Sequence, residues 1–111
     1  QFAAAAAEIR EAVAIMERLS NLQRSGYDLY NLACFRSLLS GIAREPGSGL
    51  TDADAHRLDI EAVATLRQAV AAGLEDVAFM RRDADLDPLR SRPDFQMLLM
   101  DLAFPDQPLA K

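Results

Sequence analysis

A chain of 111 residues, half of them hydrophobic and with a net charge of −5, has the size of one domain and lacks the basic surplus that a nucleic-acid footprint needs. Its single cysteine, Cys34, rules out an internal disulfide and fits a reducing, cytoplasmic setting, and no apolar run approaches the length of a membrane span. The composition therefore sets aside nucleic-acid binding, membrane insertion and the disulfide-rich secreted class.

Tryptophan is absent and alanine is abundant, so the interior must be built from Ala, Leu, Val and Ile at close spacing, which favours helices lying near one another. No alternating β-branched run and no Asn-Gly or Asp-Gly hairpin occurs, and the fold class is read as all-α. The opening QFAAAAAEIREA has neither the charged start nor the long apolar core of a secretory leader. Because Gln1 leads directly into a helical pattern, the chain is expected to be a piece of something longer.

In chain order, the first expected helix runs from about Ala3 to Leu22, with Ile9, Val13, Met16 and Leu19 at helical spacing. Ser25-Gly26 breaks the pattern, and a second helix follows from about Tyr27 to Ala43 on a stripe of Leu29, Leu32, Ala33 and Leu39. Pro46-Gly47-Ser48-Gly49 is the strongest loop signal. Thr51 with Asp54 makes a capping-box start for a third helix, which carries Leu58, Ala62, Leu66, Ala69 and Val70 down one face and ends at Gly73. A short helical turn is expected around Glu75 to Met80. Asp87-Pro88 reads as a tight helix start, and Ser91 with Asp94 as a second capping pair around Pro93. The last helix, from about Arg92 to Ala103, sets Phe95, Leu98, Leu99 and Leu102 at i, i+3, i+4 and i+7. Residues 104–111 are expected to fray.

With the helices placed, the middle of the chain resembles a tetratricopeptide repeat, in which two antiparallel helices meet through short side chains. Leu29, Leu32 and Ala33 match its first helix, and Ala62, Leu66 and Ala69 match the second. The order YNLAC, then AVAAG, then DLDPLR followed by Pro93, Phe95, Leu98 and Leu99, resembles more specifically the closing repeat region of large bacterial serine/threonine protein kinases. The resemblance spans Leu29 to Leu102. It implies a single tetratricopeptide-like domain of about five helices, a fragment of an alpha-alpha superhelix serving as a non-catalytic scaffold for protein partners. Two departures, a long link from Arg44 to Thr51 and Arg36 where the family has a large aromatic, imply a diverged terminal repeat. The kinase's own glycine-rich loop, HRD and DFG motifs are absent from this stretch.

No catalytic, cofactor or metal site is expected. Asp83, Asp85 and Asp87 imitate a calcium loop with Asp94 at its twelfth place, yet Pro88 stands at the sixth place, where that loop needs Gly, and Asp replaces the bidentate Glu. Helix capping is the better account of these acids. His56 among Asp52, Asp54 and Asp59 has no nucleophile near it and reads as an exposed histidine. Cys34 has only Arg36 nearby to activate it and reads as a packing residue.

The partner-binding candidates are Tyr27, Tyr30, Asn31, Cys34 and Ser37, joined by Gly41, which cluster on the second helix opposite its core stripe. In tetratricopeptide repeats this helix lines the concave surface, and an Asn matching Asn31 pairs with an extended peptide. The same residues would equally serve to pack beneath the first or last helix. The expected partner is thus a protein or peptide bound in a groove. The alternative is a structural cap or self-association segment, including a homodimer through exposed repeat-stacking surfaces.

Overall fold

The computed structural model describes residues 1–22 and 25–104, without the side chains of 19–22. Among the described residues the chain is all-helical: α1 (Phe2–Leu22), α2 (Gly26–Ala43), α3 (Asp52–Ala71), α4 (Val77–Arg82), a 3-10 helix (Ala84–Leu89) and α5 (Pro93–Ala103). None of these helices is long and apolar enough to cross a membrane. The expected core position Leu19 and the tail PDQPLAK lie outside what is described.

The central pair is α2 with α3. Ser25 caps α2 by accepting the Asp28 N–H at 3.0 Å, while Thr51 and Asp54 form the full capping box of α3. The α3 helix ends in a Schellman motif, with Leu74 N–H donating to Ala69 O at 3.1 Å and Gly73 N–H to Val70 O at 2.9 Å. Gly73 adopts φ 110°, a conformation closed to most side chains. Antiparallel packing brings the start of α2 against the end of α3 so closely that a Cβ on Gly26 would sit 3.1 Å from Ala69 O. Ala33, Ala62 and Ala69 are fully buried, as a backbone-to-backbone approach of this kind requires. They share one core with Leu29, Tyr30, Leu66 and Phe95.

The α1 helix lies antiparallel along α2 over a smaller cluster of Ala6, Leu39 and Leu58. Arg36 ties three helices together, donating to Glu17 on α1 and to the Thr65 hydroxyl on α3, each at 2.6 Å. Arg36 thus works as a polar strut. On the other side, Arg92 lies 3.7 Å from Asp59 and Arg67 3.7 Å from Asp101, so α5 runs parallel to α3.

Three local expectations are corrected. Asp87-Pro88 does not open a helix: Asp83 is the cap, accepting the Asp85 N–H at 3.0 Å, and Pro88 sits inside the 3-10 helix, which its fixed φ permits. Ser91 does not cap α5; Arg92 holds the N-cap position without a side-chain capping bond, and Asp94 pairs with the Arg92 guanidinium at 3.0 Å. The short turn begins later, at Val77, because Asp76 caps it through the Phe79 N–H at 3.0 Å.

Candidate functional site

The five partner-binding candidates divide into two groups. Tyr30, Cys34 and Ser37 recur at i, i+4 and i+7 on one line of α2, with Gly41 continuing it, and all three are buried. Tyr27 and Asn31 stand one step round the helix and are exposed, Tyr27 to 76%.

What covers the first line is the chain's own segment from Asp83 to Leu89. The Tyr30 hydroxyl donates to Asp83 Oδ2 at 2.5 Å, and the Cys34 thiol approaches the same oxygen at 3.8 Å. Further along, a Cβ on Gly41 would meet the Pro88 ring at 3.1 Å. Leu86 and Leu89 are wholly buried in the same core. Arg90 locks the segment from behind by donating to Asp83 O at 2.6 Å and to Asp87 at 2.7 Å. Asp83 therefore accepts from a phenol, a thiol, a backbone amide and a guanidinium at once. Ser37 Oγ is buried with no hydrogen-bond partner among the described residues.

The electrostatics of this contact favour the protonated thiol and phenol. Burial, and then the negative charge of Asp83, push the Cys34 thiol up to about 12. Burial first, and then the bond to Asp83, raise the Tyr30 phenol well above its ordinary value. Asp85 is raised by burial and by the like charges of Asp83 and Asp87. A thiol held protonated is a poor nucleophile and a poor metal ligand. The donor atoms of Cys34, Asp83 and Asp85 do lie within 4.8 Å of one another, but hydrogen bonds from Tyr30, Cys34 and the Asp85 N–H already occupy the Asp83 carboxylate. His56 is exposed on the first turns of α3, away from this contact.

Two arrangements were not foreseen from the sequence. Asp59 is 2% exposed and faces Arg44 at 2.6 Å and Arg92 at 3.7 Å, joining the end of α2 and the start of α5 to α3. An acid beside Leu58 and three residues before Ala62, on the buried face of a helix, was a readable signal. Phe79, 45% exposed, places its ring 5.9 Å from that of Tyr30 at a tilt of 49°. Nothing in the local sequence around Phe79 points to that pairing.

Comparison with protein-family models, with curated proteins and with solved structures yields no match for this chain.

Proposed function

We propose that the chain is a non-catalytic protein-interaction module of tetratricopeptide type that closes a helical array, with a short docking surface at the Tyr27 and Asn31 end of α2. The observation that carries this reading is the path of residues 83–89, which lie along the part of α2 that a peptide groove would use. A repeat in mid-array would need that face open to a ligand, whereas a terminal one benefits from closing it. Exposure of Tyr27 and Asn31 leaves an aromatic ring and an amide for a partner, the pairing of contact area with backbone hydrogen bonding that extended peptides exploit. That the parent is a bacterial serine/threonine kinase, and that the module is cytoplasmic, are proposals resting on the sequence resemblance and on the single cysteine.

The test is backbone amide mapping by NMR while extended peptides are titrated onto the chain. Shifts confined to Tyr27, Asn31 and the Leu74–Phe79 stretch are expected. Shifts along Ser37 to Gly41 would mean that the long groove opens, and the closing role would be lost.

The second reading is self-association, favoured by the exposure of Met97, Met100 and Phe104 on the outer side of α5. It requires concentration-dependent sedimentation that Met100→Lys abolishes.

A further inference from the structure

The exposed end of α2 carries a more specific chemistry than a general docking surface. Tyr27, Tyr30, Leu74, Asp76 and Phe79 line a cavity of about 50 Å³. At about 10–15 Å³ for each water-sized position, this admits about four non-hydrogen atoms, the size of a head group. Three of its five walls are aromatic; Tyr27 is largely open to solvent and Phe79 about half so. The fifth lining residue, Asp76, uses one carboxylate oxygen to cap α4 through the Phe79 N–H, and its other oxygen accepts no hydrogen bond among the described residues. Among the described residues the lining contains no lysine or arginine.

We propose that this cavity takes a methylated ammonium group, carried on a lysine of a partner peptide, with the cation set among Tyr27, Tyr30 and Phe79 beside the Asp76 carboxylate. Ring faces carry negative potential, so a box of aromatic walls attracts a cation whose own methyl groups also favour leaving water. The Tyr30 and Phe79 rings lie at a tilt of 49° to each other, so these two walls are not parallel plates. Tyr30 is fixed in place by its bond to Asp83, so one wall is already ordered before anything binds.

A peptide is favoured over a free quaternary amine because the cavity continues into a second one. That groove, about 240 Å³, shares Tyr27, Leu74 and Asp76 with the first and runs past Gly26, Gly73 and Glu75. It gives a chain somewhere to lie and adds a second carboxylate. The inference rests on the reading of the Tyr27 end as a docking surface.

The experiment is an NMR titration of the whole chain with a peptide of glycine and serine carrying one trimethyl-lysine. Three further probes run beside it: the same peptide with unmodified lysine, the neutral isostere in which carbon replaces the ammonium nitrogen, and tetramethylammonium chloride. Saturable shifts at Tyr27 and Phe79 are expected, with the isostere weaker by about 3- to 30-fold. Tyr27→Ala, at an exposed position, should lower the affinity at least about threefold with its unfolding midpoint unchanged, and Tyr27→Phe should restore it. Equal binding of the isostere would mean an apolar slot and would overturn the proposal. So would equal affinity for tetramethylammonium, which would move the ligand from a peptide to a small molecule. If unmodified peptides shift Tyr27 and Asn31 as strongly as the methylated one, the docking surface stands and the ammonium pocket falls. Silence from every probe removes the ammonium pocket and leaves the docking surface to its own peptide titration.

Discussion

Asp59 and its two arginines show how burial decides which partner of an ion pair matters. The carboxylate is 2% exposed while the Arg44 side chain is 45% exposed, so removing the acid releases arginines that water can solvate, and removing Arg44 leaves a buried charge with only the longer 3.7 Å contact to Arg92. Arg44→Ala is accordingly expected to cost about 3 kcal/mol and Asp59→Asn about 1 kcal/mol, since the amide oxygen still accepts a hydrogen bond. Urea denaturation of both variants measures this, and equal losses would refute the asymmetry. Cys34 gives a pH-dependent counterpart. Its thiol is raised from 9.0 to about 12 in the folded state, so the folded protein keeps a proton that the unfolded chain gives up. The resulting stabilisation is whole below the lower value and is lost as pH climbs through the interval between them. Tyr30, pushed upward too, steepens the decline. Urea midpoints at about pH 8 and about pH 10 should therefore fall for the parent and fall less for Cys34→Ala.

At the scale of elements, the three long helices were largely legible because their signals are local. The Thr51–Asp54 box, the Gly73 terminus and the alanine spacing that joins α2 to α3 each occupy a few adjacent residues and mean the same thing wherever they occur. The covering segment was not legible for the opposite reason. Tyr30 and Asp83 are 53 residues apart, and no pattern near either one announces the other. Asp87-Pro88 was misleading because the same dipeptide fits a helix start and the interior of a 3-10 turn. The candidate site followed this division: all five residues had two readings, groove or burial, and only the path of a distant segment separates the buried Tyr30, Cys34 and Ser37 from the exposed Tyr27 and Asn31. Because the Asp83 carboxylate receives three donors, Asp83→Ala should cost more than Tyr30→Phe, about 3 against about 1 kcal/mol. It should also speed amide exchange in residues 84–89 well beyond any change in α3. Uniform acceleration across both would show that the segment is no separate latch.

The whole molecule is longer than a sphere of its size. Its radius of gyration is 14.3 Å with extents of 48 × 32 × 21 Å, where about 13 Å is usual for this length. The elongation comes with an uneven core. The main cluster joins α2, α3, the 3-10 helix and α5, while α1 rests on the small cluster around Ala6, Leu39 and Leu58 with Arg36 as its polar tie. Amide exchange should rank accordingly, with the first turns of α1 opening earliest and the middle of α3 protected almost to global unfolding. Comparable protection of α1 and α3 would mean that the two clusters melt as one. The long separation between Tyr30 and Asp83 has a further meaning for a chain made one residue at a time. At about 5–20 residues per second, α2 leaves the ribosome roughly 2–10 s before the residues that will cover it. For those seconds the Tyr30, Cys34 and Ser37 line is bare apolar surface on a nascent chain, open to a chaperone or to a neighbour on the same message. A surface sealed in the finished protein is thus, during synthesis, the place where folding can be assisted or diverted.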